Sequence, residues 1–389
     1  MNSDKKIYIL LTDVHERKVF DIFNILNKNY KQFSLLLFNN TNTKFSLPIV
    51  YGQKVHLLRN TNYADFEYDI NKAIDKYLGN TLIYFPMIDS YSDLFYTFMK
   101  KHPDVLRYRM PTFNEFSTVM NKITFQDFCE HNNIPVPLSF KKEDAARLQQ
   151  DFMPLIVKPN MGNGAMGITF INTASELSEF ENINFNTHLV QERIANTNIE
   201  GAFFLMNKGK LVSYYGHKRL RVFPETGGVS VFSHYQSNKQ LKELGVEILQ
   251  KLNWDGIAMI EFLFDEKEQK YKVIEVNPRM WGTWLLSEFA NTGFTINYIK
   301  LCLNEPTIET VQRENTFIRW FYPFDLFLYF KKRFQIKDFW KINRQNTCYI
   351  SFTYASFARS LIYIIYFTIN INSIKRFLKK IGVLKLPKN

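Results

Sequence analysis

The chain has 389 residues, of which 46% are hydrophobic, and a net charge of +12 at neutral pH. The length predicts two or three domains, and the hydrophobic content excludes a disordered protein. Three widely spaced cysteines exclude a disulfide framework and a zinc site, and they favour a reducing cytoplasm. The apolar run at residues 7–11 is too short for a signal peptide, so a cytoplasmic protein is expected.

The N-terminal part of the chain alternates between strand-like and helix-like patterns. Strands are predicted at residues 7–12, 33–38 and 81–86, and helices at residues 19–26 and 65–77. This rhythm predicts a parallel sheet. No glycine-rich fingerprint follows the first strand, so a dinucleotide site is not expected there. A further helix is predicted at residues 114–132.

A glycine-rich loop at residues 160–167 lies between strands predicted at residues 155–159 and 168–171. Because strands flank the loop on both sides, it is not a Walker loop. It is interpreted as a flap whose main-chain N–H groups close over phosphate oxygens. Lys158 lies just before the flap and can reach the same phosphates. The alternative is an ordinary glycine-rich hairpin.

The next predicted elements are a strand at residues 189–194 and a hairpin formed by residues 202–206 and 211–217. Lys218 and Arg219 follow the hairpin. A helix is predicted at residues 241–252 from its 3.6-residue apolar period.

Two apolar strands near residues 258–262 and 274–277 carry acidic residues, and the polar turn between them predicts a hairpin. A buried carboxylate needs a partner, because removing it from water is costly. Glu261, Glu275 and Asn277 are expected on one face. Three hard oxygen ligands suit Mg²⁺, with Mn²⁺ as an alternative ion. The competing interpretation is a surface hairpin with ordinary salt bridges.

Taken in order, these elements resemble the ATP-grasp superfamily, and most of all its carboxylate–amine ligases that are similar to the carbamoyl-phosphate synthase large subunit. The resemblance runs from the first strand to about residue 310. The motifs that carry it are Asn121-Lys122, Ile134-Pro135-Val136-Pro137, Val157-Lys158-Pro159 with the flap, Val190-Gln191-Glu192-Arg193-Ile194, Lys218-Arg219 with residues 224–228, Ile260-Glu261-Phe262 and Glu275-Val276-Asn277-Pro278-Arg279.

The resemblance implies an α/β fold with an α+β ATP-grasp core. A Rossmann-like domain that precedes the ATP-grasp domain is expected at residues 1–113. The two-lobed ATP-grasp domain would follow at residues 114–310, with the flap in the lobe 114–190 and the metal site in the lobe 191–310. Residues 311–389 would form a basic, aromatic, helical C-terminal region.

The resemblance also implies a role for each site residue. ATP would be bound by Lys122 and Lys158 at its phosphates, by Gln191, Glu192 and Ile194 at its adenine, and by Glu200 at its ribose, under a flap formed by Gly162, Gly164 and Gly167. Mg²⁺ would be bound by Glu261, Glu275 and Asn277. The acyl phosphate or the substrate carboxylate would face Arg279, Lys218 and Arg219. Lys122 and the Lys218-Arg219 pair have a competing interpretation as solvated surface residues. His217, Trp281 and Trp284 are expected to be structural, and Asp89 is expected to cap a helix rather than bind an amine.

The implied activity is an ATP-dependent ligase that joins a small-molecule carboxylate to an amine through an acyl phosphate, for cell-surface or secondary-metabolite biosynthesis. A kinase-like phosphoryl transferase and a non-catalytic ATP-binding protein are the alternatives. No nucleic-acid partner is expected, and a homodimer is left open.

The whole positive charge lies in residues 311–389, which contain 15 Lys and Arg against 3 Asp and Glu, a balance of +12. The other 310 residues hold 34 of each sign and are neutral. Aromatic residues beside Lys and Arg are typical of an interfacial membrane anchor. Packing on the ligase body is an equal alternative. If the anchor interpretation holds, a chain ending near residue 310 should stay in solution, and the full chain should bind the inner face of the membrane.

Overall fold

The computed structural model describes residues 5–40, 52–147, 153–162, 167–176, 180, 182–195, 198–225, 228–337, 339–340 and 345–369. Its N-terminal part is a four-stranded parallel sheet with strand order β3-β2-β1-β4. The strands are β1 (Ile7–Leu11), β2 (Ser34–Asn39), β3 (Val55–Leu57) and β4 (Thr81–Tyr84), and the helices are α1 (Arg17–Asn29), α2 (Tyr63–Ile74) and α3 (Ser92–Lys101). The predicted parallel sheet is confirmed, with element ends shifted by a few residues.

The second part is a small antiparallel sheet with strand order β5-β8-β6-β7. Its elements are α4 (Phe113–Met120), α5 (Lys122–His131), β5 (Ser139–Phe140), β6 (Leu155–Pro159), β7 (Thr169–Ile171) and β8 (His188–Glu192). The single helix predicted at residues 114–132 is wrong, because Asn121 is extended and divides it. The Asn121 side chain accepts hydrogen bonds from the main-chain N–H groups of Ile123 and Thr124, which begins α5 there.

The third part is a seven-stranded sheet with order β13-β12-β9-β10-β11-β14-β15. Its strands are β9 (Glu200–Asn207), β10 (Lys210–Phe223), β11 (Val229–Tyr235), β12 (Gly256–Asp265), β13 (Lys270–Asn277), β14 (Phe317–Arg319) and β15 (Thr347–Tyr349). The remaining helices are α6 (Lys239–Lys251), α7 (Trp284–Phe289), α8 (Phe294–Cys302), α9 (Leu326–Lys331) and α10 (Phe357–Ile369). All neighbours are antiparallel except β14 and β15, which are parallel.

Strand alternation gives the large sheet two apolar faces. Phe204 and Ile260 point to the face covered by α6, and Phe203 and Tyr215 point to the face that packs on the N-terminal part. The second face shares one core with α1, so the N-terminal sheet is held directly beside the large sheet.

Part of the basic C-terminal region belongs to this core. β14 extends the large sheet beside β11, and Phe324, Leu328 and Cys348 are buried together with residues of α1. Packing on the rest of the protein is one of the two alternatives for the C-terminal region. It describes the segment that contains β14, Phe324, Leu328 and Cys348. In the part of the chain that the structure describes, no helix has the length and apolar character needed to cross a bilayer.

Candidate active site

A cavity of about 450 Å³ lies between the small and large antiparallel sheets and reaches α1 of the N-terminal part. The small sheet contributes Lys158 and Pro159, and the large sheet contributes Glu261, Leu263, Glu275 and Asn277. Both apolar and charged side chains line the cavity. The charged residues of the lining are Arg17, Lys122, Lys158, Arg219, Glu261, Glu275 and Arg279.

Glu261 and Glu275 occupy directly opposite positions on β12 and β13. The Asn277 side-chain amide donates a hydrogen bond to Glu275 Oε1 at 3.1 Å. Burial raises the pKa of Glu261, and the neighbouring Glu275 charge raises it further. Like charges in opposite strand positions repel each other. A divalent cation between them would remove this repulsion, so the three oxygen-bearing side chains fit Mg²⁺.

Two lysines belong to the same cavity. Lys158 is buried, donates to Gln191 Oε1 at 2.9 Å, and lies near enough to Glu275 and Glu261 for their charges to stabilise its cation. Burial nevertheless lowers the pKa of Lys158 to about 8. Lys122 Nζ donates to the main-chain oxygen of Gly162 at 2.8 Å and so holds the start of the glycine-rich loop.

The described ends of this loop require glycine. Gly162 has φ +128° and Gly167 has φ +73°, which other residues rarely adopt. A Cβ atom at Gly167 would lie 2.9 Å from Pro159 Cγ, closer than van der Waals contact allows. Gly164, the third predicted flap residue, is outside the described residues.

Two arginines lie beside the acidic group. Arg219 pairs with Glu261 at 2.5 Å. Arg279 donates from Nε to Asp89 Oδ2 at 2.8 Å and from Nη2 to Asn277 Oδ1 at 2.9 Å. The helix-cap interpretation of Asp89 is therefore wrong, because Tyr91 precedes α3 and the Asp89 carboxylate contacts Arg279.

The predicted adenine-reading residues have other side-chain partners. Gln191 is buried between Lys158 and Gln126. Glu192 pairs with Lys272 at 2.6 Å. Lys272 also pairs with Asp265 and Glu268. The carboxylates of Glu192, Asp265 and Glu268 therefore already surround the Lys272 ammonium group. Ile194 is buried. Contact of Gln191, Glu192 and Ile194 with adenine stays a prediction.

Two predicted residues do not point into the cavity. Lys218 and Glu200 are paired across β10 and β9, one position along from the pair His217 and Gly201. Since successive side chains of a strand point to opposite faces, they lie on the face away from Glu261. The Glu200 carboxylate accepts a hydrogen bond from Tyr271 at 3.1 Å. The structure therefore corrects the roles expected for Lys218 and Glu200.

Sequence reasoning missed Arg17 and assigned His217 to packing alone. Arg17 begins α1, donates to the main-chain oxygen of Gly282 at 2.9 Å, and lines the cavity. His217 also lines the cavity, and burial lowers its pKa to about 3, so it is neutral at pH 7. Arg17 looks like an ordinary helix-surface residue in the sequence, because the contact with Gly282 joins residues 265 positions apart.

Residues 119–283 match the family model ATP-grasp_3, described as an ATP-grasp domain. No curated protein sequence matches the chain at a significant level. Among solved structures, the biotin carboxylase of Campylobacter jejuni, in complex with β,γ-ATP, is similar with a TM-score of 0.63 and 13% identity, over 81% of this chain and 75% of that chain.

Two further structures are similar with a TM-score of 0.55 and 14% identity. The N5-carboxyaminoimidazole ribonucleotide synthetase of Thermotoga maritima aligns over 79% of this chain and 78% of its own. The L-amino acid ligase of Bacillus licheniformis aligns over 80% of this chain and 76% of its own. These likenesses concern the fold, and they agree with the family match, which identifies an ATP-grasp domain at residues 119–283.

Proposed function

We propose that the protein is a Mg²⁺- and ATP-dependent ligase that joins a carboxylate to an amine through an acyl phosphate. One observation carries this proposal. Glu261, Glu275 and Asn277 lie across a single cavity from Lys122 and Lys158. Phosphoryl transfer requires acidic side chains that bind a metal ion and, facing them, cationic side chains that bind the phosphates.

In this proposal, Glu261, Glu275 and Asn277 would hold Mg²⁺, which neutralises phosphate charge when it is bound. Lys122 and Lys158 would bind the phosphates of ATP as point charges. The apolar residues of the cavity lining, which include Ile156, Leu263 and Ile274, would contact the adenine. Arg219 and Arg279 would contact the substrate carboxylate and the acyl phosphate.

The reaction has two steps. A carboxylate oxygen attacks the γ-phosphorus of ATP, the bond from this phosphorus to the β,γ-bridging oxygen breaks, and ADP leaves. The amine nitrogen then attacks the acyl carbon, the bond from carbon to the phosphate oxygen breaks, and phosphate leaves while the nitrogen loses a proton to solvent. Arg219 and Arg279 would offset the charge that develops during both steps. The glycine-rich loop, held by Lys122, would exclude water that hydrolyses the intermediate.

Two of the similar structures are of enzymes whose names describe ligation, an L-amino acid ligase and a carboxyaminoimidazole ribonucleotide synthetase. The likeness supports the reaction class, and the acid and amine are open. A kinase-like enzyme would need the same metal and phosphate groups, whereas a non-catalytic binder would need fewer of them.

The test is release of ADP and phosphate from the full chain with panels of carboxylic acids and amines, followed by mass spectrometry of the products. An amide that forms only when acid, amine, ATP and Mg²⁺ are all present supports the ligase. ADP formation that needs no amine supports the kinase. Binding of ATP with no ADP for any pair supports the non-catalytic protein.

Replacing Lys158 with Met should weaken binding of a non-hydrolysable ATP analogue by roughly tenfold to a hundredfold, because a charged hydrogen bond contributes about 1.5–3 kcal/mol. For the native protein, affinity should also fall as the pH rises through about 8. The Lys158 ammonium binds phosphate only while it is protonated, and its lowered pKa of about 8 places the loss of the proton there. Isothermal titration at several pH values measures both effects.

Lys158→Arg is the matched control for pH, since a guanidinium stays charged and should remove the dependence near pH 8. Lys142→Met, an exposed lysine of the same lobe, controls for the loss of one positive charge. Unchanged affinity of Lys158→Met would place Lys158 outside the nucleotide site.

Asp89→Asn should lower kcat and raise KM for the acid while leaving ATP affinity nearly unchanged. Arg279 Nε donates a hydrogen bond to the Asp89 carboxylate at 2.8 Å. The negative charge of Asp89 therefore positions the Arg279 guanidinium. Asp93→Asn, an exposed aspartate of α3, is the control. Equal kinetics in the two variants would show that Arg279 does not need Asp89.

A further inference from the structure

The C-terminal helix α10 has one buried side and one apolar side that none of the described residues covers. Tyr366 and Ser360 are buried against the body. On the other side, Phe357, Leu361, Ile365 and Ile369 are 85%, 46%, 49% and 51% exposed. These four residues are spaced by four positions and therefore form one row along the helix, called here the outer stripe.

A second group of exposed apolar side chains lies beside the end of α10. Phe330, Phe334 and Trp340, called here the aromatic patch, are 54%, 61% and 66% exposed. All three rings contact the ring of Tyr329, with centroids 5.1–6.2 Å apart. The patch therefore presents a continuous apolar surface rather than isolated residues.

The two groups are neighbours in space. The ring centroid of Phe321 lies 6.2 Å from that of Trp340 in the aromatic patch. The next residue, Tyr322, is within 2.8 Å of Thr368, hydroxyl to hydroxyl, and Thr368 precedes the last residue of the outer stripe. The stripe and the patch are thus joined through Phe321 and Tyr322.

Positive charge surrounds this surface. Lys331, Lys332 and Arg333 are exposed and lie in the chain between Phe330 and Phe334, and of these three Lys332 pairs with Glu225 at 2.8 Å. Residues 370–389, which continue the chain after the outer stripe, contain six Lys and Arg and no Asp or Glu. The partner that complements such a surface is apolar in its interior and negatively charged at its edge.

We propose that the outer stripe and the aromatic patch bind the surface of a membrane that contains anionic lipids. Aromatic and aliphatic side chains would enter the interface between headgroups and acyl chains, and the basic residues would contact the headgroups. At 13 residues, α10 is about 20 Å long, so it would lie in the interface rather than cross the bilayer. This surface does not depend on the ligase chemistry.

Charge argues against the other ways of covering the surface. A second copy of the chain, placed symmetrically on it, would bring Lys331, Lys332 and Arg333 close to the same residues of its partner. Residues 370–389 folded back over the stripe would add their six positive charges to the same region. A nucleic acid would satisfy the charge but leave the apolar stripe in water.

The test is flotation of the full chain with phosphatidylcholine vesicles that either contain or lack phosphatidylglycerol. The native protein should float only with the anionic vesicles, and high salt should release it. Replacing Lys331, Lys332 and Arg333 with Gln should lower partitioning roughly a hundredfold, since each basic residue near the surface contributes about 1 kcal/mol. Replacing Leu361 and Ile365 with Gln should also lower it, because two inserted side chains are lost.

Matched controls carry the same changes elsewhere. Gln at Lys210, Lys239 and Lys242 removes three exposed charges from the far side of the large sheet, and Gln at Leu78 and Val311 removes two exposed apolar side chains. The controls should float like the native protein. Failure of the native chain to float with anionic vesicles, or equal loss in both controls, overturns the proposal. A dimer that the Leu361/Ile365 variant converts to a monomer, without vesicle binding, assigns the surface to a second copy.

Discussion

Glu275→Gln should reduce ADP formation by roughly a hundredfold or more, because the variant loses an anionic oxygen at the proposed Mg²⁺ site. Glu261→Gln should have a similar effect. Neither change should unfold the protein, because each removes one of two like charges that face each other on β12 and β13. The measurements are a coupled ADP assay across Mg²⁺ concentrations and the thermal unfolding midpoint.

Glu266→Gln is the matched control, since Glu266 is an exposed glutamate in the turn of the same hairpin. It should keep native activity and native dependence on Mg²⁺. ATP binding in the absence of metal should change little in Glu275→Gln, because the phosphate-facing lysines stay in place. Near-native ADP production by both Glu275→Gln and Glu261→Gln would show that the metal assignment is wrong.

The hairpin that carries these residues could be predicted from sequence because local rules fix it. Both strands are apolar segments interrupted by acidic residues, and Asp265 accepts hydrogen bonds from the main-chain N–H groups of Lys267 and Glu268 to form the turn. The register counted from this turn would place Ile274 opposite Glu261, and an irregularity between Phe262 and Glu261 shifts it by one residue so that Glu275 lies opposite instead. The same reasoning placed Lys158 at the end of a strand before the glycine-rich loop.

Other parts of the site depend on strand pairing between residues that are far apart in the sequence. The roles expected for Lys218 and Glu200 required both residues to point into the cavity. β10 instead continues as one strand to Phe223, and the side on which each residue falls is set by the pairing of Gly201 with His217 and with Glu261. A shift of one residue would exchange the two faces.

The C-terminal region shows the limit of composition as a guide. Basic and aromatic residues are compatible both with a membrane anchor and with a packed segment. For the start of this region the deciding fact is the pairing of β14 with β11 across more than 80 residues of sequence, which no local pattern reveals. A chain that ends near residue 310 would expose this edge and the apolar residues beneath it, so we now expect aggregation where the sequence alone predicted a soluble body.

Replacing Asp325 with Ala should destabilise the protein by about 3–5 kcal/mol, since it leaves buried arginine charges without their partner. The Asp325 side chain is fully buried. It accepts hydrogen bonds from Arg221 at 2.7 and 2.8 Å and from Arg319 at 2.6 Å. Arg221 belongs to β10 and Arg319 to β14, so this carboxylate joins the C-terminal region to the strand that carries His217 and Arg219. Chemical denaturation of the full chain measures the loss.

Glu314→Ala, which removes an exposed carboxylate from the same region, should leave the unfolding midpoint nearly unchanged. Asp325→Asn should destabilise less than Asp325→Ala, because an amide oxygen still accepts one of the arginine hydrogen bonds. If Asp325→Ala instead unfolds at the native midpoint, Asp325 does not hold β10 and β14 together. The attachment of the C-terminal region would then rest on the pairing of β14 with β11 and on the shared apolar core. Solubility of a chain ending near residue 310 tests this second attachment, because that chain lacks β14.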